Sequence, residues 1–488
     1  MKRLNTVLLT LCVLLVPLVN CQWYWTSMTQ RPRVQSRFAY PTETTSPPPF
    51  RPAPTSQVVR RPAPAPPTPG PSGLTVMPEN DSKISHMVVE FMMRISRTLA
   101  QQNSKTELFS PVSIANVANL LFLGARGVTH QEFGKVLTPA GMNWNNYQQR
   151  YSRVLANLLA PVPLDSKRDQ WRRQTCPAND DYEDESSTPE PKSQVIRLAN
   201  GIFHQNTLRM KQSYVRVVRD FYGALVQEID PQNSAGSTAM INRWVSDVTA
   251  GKIRSMLDGP LSPSSSVVIV NALYFKGKWK TAFEPLVTRP ALFFPDGYDA
   301  SSYRVPIMSL SGCLPFYKTR DAMQVSIVGL PYRDDTSTMY LIQPANSSRN
   351  AVRRLQASLT SKLLDSWIGQ MKLQSTMVRL PKMHLKNSVD LLQSFQKLGF
   401  ASILSPAKSN LTNMVEQNGT QRPYVNQIMH KVDLAIDEEG TEGAAATSAL
   451  VDRIGSQQTF NGNTPFLIYL RHDATGLPLF YGPVFDPR

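Results

Sequence analysis

Cysteine is scarce in this 488-residue chain, with four residues in all. Cys12 and Cys21 fall in an N-terminal segment that is expected to be removed, which leaves Cys176 and Cys313. Two cysteines are enough for one disulfide but form no framework. The chain therefore depends on a buried core, and its hydrophobic content of 41% is ordinary for a globular protein.

Histidine is nearly as scarce, with six residues, and none of them has the spacing of a metal site. The nucleophile elbow Gly-x-Ser-x-Gly, a glycine-rich phosphate loop and the zinc motif His-Glu-x-x-His are all missing. No DNA- or RNA-binding motif is visible either. The sequence therefore predicts a protein that is not an enzyme and has no catalytic residue, metal, cofactor or nucleic-acid partner.

Long apolar runs are missing except near the N-terminus, where Lys2 and Arg3 precede an apolar stretch at 8–19. That stretch is shorter than a typical membrane span, and Asn20 and Cys21 are small enough to precede a cleavage site. We therefore expect residues 1–21 to be a signal peptide and the mature protein to be secreted, extracellular and free of the membrane. Sequons for N-linked glycosylation fit this route and stand at Asn80, Asn346, Asn410 and Asn418.

Acidic residues are in deficit, with 36 against 52 basic ones, and the formal charge is +16. Such a balance permits binding to a polyanion such as a glycosaminoglycan, although solubility alone also explains it. The densest basic block surrounds Trp171, and an acidic run at 180–185 follows it. Adjacent blocks of opposite charge without apolar periodicity predict an exposed insertion over 162–192, whose charges either attract a ligand or neutralise each other. The candidate polyanion-binding residues are Lys167, Arg168, Arg172 and Arg173.

Proline is abundant, with 39 residues, and its excess lies in residues 22–78. Because proline lacks a backbone donor and interrupts helices, this stretch is expected to be a disordered or polyproline-like extension. It serves either as a docking arm or, more simply, as a solvated leader.

From residue 79 to residue 488 the pattern is that of one mixed α+β domain. Helices are predicted around 87–99, at 111–123 and at 388–398, from apolar residues at helical spacing and from Gly124 as a stop. Continuous apolar runs predict buried strands at 267–274, 325–330, 339–342 and 377–380. Two more strands, at 465–470 and 479–484, are joined by a turn at Thr475 and Gly476.

The most unusual stretch is residues 437–458. Small residues dominate it, Gly440 and Gly443 interrupt it, and its tip is polar. Between residues 441 and 452 the odd positions are all uncharged and of modest size, whereas the even positions carry Glu442 and Asp452. Since a strand places alternate residues on opposite faces, this loop has the pattern of a strand with one small, buried face. The pattern ends at Arg453, so the loop is insertable up to Val451 or Asp452. The odd positions are Thr441, Gly443, Ala445, Thr447, Ala449 and Val451.

These residues resemble the reactive-loop hinge of the serpins, the serine protease inhibitor family. Further segments resemble the family in the family's order, from about residue 82 to the C-terminus. In chain order they are FSPVSI at 109–114, LGA at 123–125, INRWV at 241–245, TAGKI at 249–253, NALYFKGKW at 271–279, LPK at 380–382, LGF at 398–400, HK at 430–431, EEGTEGAAAT at 438–447, PF at 465–466 and FYG at 480–482.

The resemblance implies the serpin fold, with three β-sheets surrounded by eight or nine helices and an exposed reactive loop over 438–460. It also implies suicide inhibition, in which a protease cleaves the loop and the loop then inserts into the main sheet. The implied hinge is Glu438, Glu439, Gly440, Thr441, Glu442, Gly443, Ala444, Ala445, Ala446 and Thr447. Ser110, Ser113, Asn271 and His430 match the family's shutter, and Trp279 matches its breach.

Two positions for the cleaved bond remain open. The usual family spacing selects Ile454 as the specificity residue, whereas the shorter spacing selects Arg453. An arginine fits the acidic pocket of a trypsin-like protease, so Arg453–Ile454 is the favoured reactive bond. The alternative function is a non-inhibitory serpin acting as a carrier or storage protein. The tail and loop resemble those of arthropod serpins that act as monomers in the proteolytic cascades of innate immunity.

Overall fold

The computed structural model describes residues 79–100, 104–159, 169–175, 194–416, 422–441 and 458–488. Helices in these ranges pack around two β-sheets. The helices are α1 Glu79–Thr98, α2 Pro111–Gly124, α3 Gly127–Leu137, α4 Trp144–Leu159, α5 Gln212–Tyr222, α6 Ser234–Val248, α7 Arg349–Ser358, α8 Ser361–Gly369 and α9 Leu392–Leu398. Of the helices described, none is long and apolar enough to cross a membrane.

The strands lie between and after these helices, several of them in succession. They are β1 Val195–Gln205, β2 Leu225–Ile229, β3 Val267–Lys278, β4 Arg289–Phe293, β5 Tyr303–Lys318, β6 Ser326–Pro331, β7 Ser337–Gln343, β8 Lys372–Pro381, β9 Met383–Asp390, β10 Val425–Ile436, β11 Gly440–Thr441, β12 Gln458–Asn461, β13 Phe466–His472 and β14 Leu477–Val484.

The main sheet has the strand order β2-β1-β3-β10-β9, and β11 adds to one end of β3. Its central strand, β3, is buried on both faces because the sheet lies between two apolar clusters. Ile269 and Leu273 point into the larger cluster, which contains α2, while Val268 and Val270 pack under α6. This double burial explains the continuous apolar run in the sequence.

The second sheet has the order β12-β8-β5-β6-β7-β13-β14, with β4 at the side of β5. The 16-residue β5 pairs with β4 over 303–307, with β8 over 307–316 and with β6 over 316–318. Strand β5 therefore joins two of the three expected sheets into one continuous sheet. Cys313 in β5 is disulfide-bonded, and its partner lies outside the described residues.

The helices and strands that the sequence predicted lie where the structure has them, with one error. Residues 388–390 are the end of β9 and not the start of a helix; α9 begins only at Leu392. The Asp390 carboxylate accepts a hydrogen bond from the Leu392 backbone N–H at 3.0 Å, a local turn contact immediately before the helix. Pairing of β9 with β10, which no local pattern reveals, holds Ser388 and Val389 extended.

The charged segment also differs from the expectation of an exposed insertion. Residues 169–175 are described, and within them the side chains of Asp169 and Trp171 are buried. The Asp169 carboxylate contacts the buried Arg471 guanidinium at 2.6 Å, and Arg471 also contacts Asp473 at 2.7 Å. The prediction of exposure is therefore wrong for Asp169, Trp171 and Arg172, and the two charged residues have partners of opposite charge from distant segments inside the protein.

Candidate functional site

The seam between β3 and β10 divides the main sheet at its centre. These two strands run parallel and pair directly from Val267 opposite Val425 to Leu273 opposite Val432. Beyond Leu273 the direct pairing ends, and at the far end of β3 the two-residue strand β11 pairs with it instead. We call the paired part the lower seam and the part beyond Leu273 the upper seam.

A chain of buried polar side chains crosses the lower seam. The Ser110 backbone N–H donates to His430 Nε2 at 2.9 Å, so His430 donates from Nδ1 to the Asn271 side-chain oxygen, at 2.8 Å. Asn271 in turn donates from Nδ2 to the Asn200 side-chain oxygen at 2.8 Å. The chain thus joins α2 and the strands β10, β3 and β1, and it ties the two sides of the seam together.

Burial lowers the pKa of His430 to about 3. The neutral ring fits its two contacts because it accepts at one nitrogen and donates at the other. A second ring proton would oppose the N–H of Ser110 and would leave a charge without water or a counter-ion. At physiological pH, His430 is therefore neutral and joins the two sides of the seam by hydrogen bonds.

Three of the four predicted shutter residues meet in this chain. Ser110 also caps α2, its Oγ accepting from the Ser113 backbone N–H at 3.4 Å. The Ser113 hydroxyl has no hydrogen-bond partner among the described residues. Asn200 lies in the middle of β1 and was not predicted from the sequence, because a single asparagine carries no distinguishing pattern.

Trp279 closes the upper seam at the end of β3. Its backbone N–H donates to the Glu439 carbonyl at 2.8 Å, and its indole N–H donates to the Asp437 carbonyl at 3.0 Å. The indole ring stacks on Tyr332 with 4.6 Å between ring centroids. Trp279 therefore holds the strand end and the first hinge residues at one point, which is the place the breach residue was expected to occupy.

The first hinge residues have already entered the main sheet. In β11, Gly440 pairs with Lys278 and Thr441 pairs with Gly277, antiparallel to β3. The Thr441 side chain is fully buried, and its hydroxyl hydrogen-bonds the Tyr332 hydroxyl at 2.8 Å. A side chain on Gly440 would place its Cβ 2.1 Å from the Gly277 carbonyl oxygen, so only glycine fits there.

Glu438 anchors the base of the hinge. Its carboxylate accepts from the Lys382 ammonium at 2.7 Å and from the Thr288 hydroxyl at 3.0 Å. Burial raises the pKa of Glu438, but these hydrogen bonds outweigh burial and leave that pKa below its ordinary value. These charged contacts therefore fix the residue from which the hinge begins.

Several predicted site residues lie outside the described residues: Glu442, Gly443, Ala444, Ala445, Ala446, Thr447, Arg453, Ile454, Lys167, Arg168 and Asn418. Among the remaining sequons, Asn346 is exposed in the turn after β7, and Asn410 is half-buried with its side-chain oxygen accepting from Thr412. Asn80 lies in the first turn of α1. The use of any sequon stays a prediction.

The prediction of a polyanion site is wrong for Arg172. Its side chain is only 6% exposed and donates to Asp473 at 2.5 Å and to Asp335 at 3.2 Å. A buried guanidinium that already has carboxylate partners cannot receive a ligand from solvent. Arg173 is exposed.

Comparison with known proteins identifies the family. The model of the serpin (serine protease inhibitor) family matches residues 86–487. Serine protease inhibitor 28Dc of Drosophila melanogaster is 30% identical over 436 residues, which cover 83% of this chain and 80% of that protein. Intracellular coagulation inhibitor 1 of Tachypleus tridentatus is 32% identical over 388 residues, or 78% of this chain and 84% of that protein. The chain belongs to the serpin family.

Solved structures agree with the fold. Serpin48 of the insect Tenebrio molitor superposes with a TM-score of 0.68 at 22% identity and covers 84% of this chain and 100% of its own. Human thyroxine-binding globulin superposes with a TM-score of 0.69 at 21% identity, covering 83% of this chain and 99% of its own. The predicted serpin fold is confirmed, and the family's protease inhibitors are its relatives in sequence.

Proposed function

We propose that the protein is a secreted, monomeric suicide inhibitor of a trypsin-like serine protease and has no catalytic activity of its own. The observation that carries this proposal is the pairing of β11 with β3. Gly440 and Thr441 occupy the first two places of a new strand, and their register defines where every following residue of the loop would lie.

Each step forward along the loop is one step back along β3, because the two strands are antiparallel. Gly440 lies opposite Lys278 and Thr441 opposite Gly277, so continued pairing brings Val451 opposite Val267. Val267 is the first residue of β3. The available length of β3 thus matches the loop length that the alternation of small residues allows, and Arg453 falls two positions beyond it.

The faces of the new strand also match. Thr441 and Gly277 lie on the buried face, against Tyr332, so the small odd-numbered residues of the loop would follow them there. The even-numbered residues would share the outer face with Lys276, which is exposed and would lie opposite Glu442. The inserted strand would therefore bury small side chains and keep its charges outward.

The chemistry of trapping uses the protease's own machinery. The protease serine attacks the Arg453 carbonyl, the Arg453–Ile454 amide bond breaks, and the new Ile454 amine takes the proton from the protease histidine. Arg453 stays bound to the serine as an ester. Insertion of the loop then pulls this ester away from the geometry that deacylation requires, since displacement of the acyl group by about 1 Å is enough to slow the step strongly.

Insertion must open the lower seam, and specific contacts across the seam oppose this opening. The new strand would separate β3 from β10 and break the contact between His430 and Asn271, together with the direct pairing from Val267 to Leu273. Few contacts therefore hold the seam closed in the native form. The backbone hydrogen bonds of an additional strand would replace them.

The test is incubation of the full mature chain with trypsin at a near-equimolar ratio, followed by denaturing electrophoresis and N-terminal sequencing of the released peptide. We expect a covalent complex at the summed mass and a new N-terminus at Ile454. A complex with a new N-terminus at Gly455 would retain the mechanism and refute Arg453 as the specificity residue. Cleavage without a complex, with trypsin and also with elastase- and chymotrypsin-like proteases, would refute inhibition in favour of a carrier role.

A further inference from the structure

A basic cleft lies over the upper seam, beside the contacts described so far. Its volume is about 860 Å³. The loop at 251–255 after α6 forms one wall, and the end of β3 and the outward-facing positions of β9 and β10 form the rest. Its charged lining consists of the cations Lys252, Arg254, Lys276, Lys386 and Lys431 and the carboxylates Asp433 and Asp437.

The two carboxylates already have partners within the protein. Asp433 contacts the His384 ring at 2.5 Å and the Lys386 ammonium at 3.6 Å. Asp437 accepts from the backbone N–H groups of Glu439 at 3.0 Å and Gly440 at 3.1 Å, where it shapes the turn into the hinge. These contacts engage both carboxylates within the protein.

Two of the cations remain available to a ligand. Arg254 and Lys276 are exposed, and neither has an ion pair within the ranges that the structure describes. The Lys431 ammonium donates one hydrogen bond to the Ser255 carbonyl at 2.8 Å, which fixes the loop over the sheet and leaves further donors on that nitrogen. Positive charge from separate segments of the chain therefore converges on one concave volume.

We propose that the basic cleft binds a compact anion that carries several phosphate or sulfate groups. Lysine and arginine are the ordinary ligands of such groups, and the volume lies in the range of small-molecule sites. A ligand with several charges can contact the loop, β3 and β10 at once, which a single carboxylate cannot do.

The site has a consequence for inhibition, and this consequence alone rests on the proposed function. In the register set by β11, Glu442 would arrive opposite Lys276 on the outer face as the loop inserts. The same cations would then receive the Glu442 carboxylate. A bound polyanion would compete with that step, delay insertion, and let more of the acyl-enzyme hydrolyse before it is trapped.

Isothermal titration calorimetry of the intact, uncleaved chain tests binding directly, with inorganic tripolyphosphate and sucrose octasulfate as separate probes. We expect one site per chain for at least one probe, and the probe that binds distinguishes a phosphate ligand from a sulfate ligand. The double variant R254A/K276A should weaken binding about tenfold, from two exposed charge contacts of up to about 1 kcal/mol each.

The matched control is K318A/R320A, which removes the same two charges from exposed positions at the end of β5 and just beyond it. It should bind as tightly as the unmodified chain. Equal weakening in both double variants, or no binding of either probe, would overturn the site. Thermal unfolding of both variants checks that the fold is intact.

The number of inhibitor molecules consumed per trapped protease tests the consequence. Tripolyphosphate should raise this number for the unmodified chain and for K318A/R320A at the same concentration, and for R254A/K276A only at about tenfold higher concentration. An unchanged number for the unmodified chain at saturating anion would refute competition with Glu442. Failure to trap protease even without anion would instead refute the proposed function, while calorimetry would still decide the site.

Discussion

The two halves of the seam are built in opposite ways. The lower seam is closed by direct strand pairing and by the neutral contact of His430 with Asn271, in a buried environment. The upper seam is held by backbone bonds to Trp279 and lies under a cleft lined with cations. In the mechanism we propose, the upper seam admits the loop, whereas the lower seam determines how much resistance the loop meets.

The largest effect on inhibition is expected at Thr441, where the loop enters the upper seam. Thr441→Arg places a charge in a fully buried position against Tyr332, so the loop should no longer enter the sheet before the ester hydrolyses. We expect the inhibitor to become a substrate, with at least about tenfold more molecules consumed per trapped protease. Titration of residual protease activity measures this number.

Thr441→Val is the matched control, because it keeps the size of the side chain and removes only the hydroxyl contact with Tyr332. Inhibition should persist in this variant. If Thr441→Arg traps protease as efficiently as Thr441→Val, the entrance does not lie at Thr441.

Acid should act on the lower seam. In the unfolded chain a histidine titrates near its ordinary pKa of 6.5, whereas His430 in the folded protein stays neutral down to about 3. Between these values the unfolded state binds the additional proton, so this contribution is complete above pH 6.5 and is lost as the pH falls toward 3. The loss is at most about 1.4 kcal/mol per pH unit.

Denaturant unfolding as a function of pH measures this loss, with His430→Asn as the comparison. The variant starts from a lower stability but lacks the titrating group, so its profile between pH 6.5 and 3 should be flatter. Parallel profiles for the two proteins would show that His430 does not control the acid sensitivity.

Asn271→Ala should weaken the same half of the seam at neutral pH. It removes the acceptor of His430 and the donor to Asn200, and it leaves both partners buried without a replacement. We expect a loss of about 2–3 kcal/mol in the free energy of unfolding. Asn387→Ala, which removes a half-buried contact of β9 with the Leu108 carbonyl away from the seam, should cost less; an equal cost would contradict a special role for the shutter.

The smallest effect is expected for Trp279→Phe. The change keeps an aromatic ring against Tyr332 but removes the indole N–H that donates to the Asp437 carbonyl. We expect a loss of about 1 kcal/mol, the usual value of one hydrogen bond, measured by urea unfolding. A much larger loss would mean that the ring itself, and not the hydrogen bond, holds the upper seam.

The sequence predicted the seam well because its parts are local patterns. The apolar run of β3, the Ser-Pro start of α2 and the small residues of the hinge each lie within a few positions of one another. Their meeting followed from the resemblance to a family with a known order of elements. Ser110, Asn271 and His430 come from three separated segments, and no spacing alone would have joined them.

The predictions that were wrong or missing concern contacts between residues that are far apart in the sequence. Arg172 was predicted to face solvent because its neighbours in sequence are charged, yet its partners Asp335 and Asp473 come from the distant turns between β6 and β7 and between β13 and β14. Asn200 was missed because one asparagine in an apolar strand has no distinguishing pattern. The basic cleft likewise draws its cations from four segments that only the fold brings together.

The central claim is that the loop continues β11 down the seam, and the structure of the loop-cleaved protein tests it most directly. The account predicts an additional strand between β3 and β10, with Glu442 opposite Lys276, Val451 opposite Val267, and His430 no longer in contact with Asn271. A cleaved protein in which β3 still pairs with β10 and His430 still donates to Asn271 would contradict it.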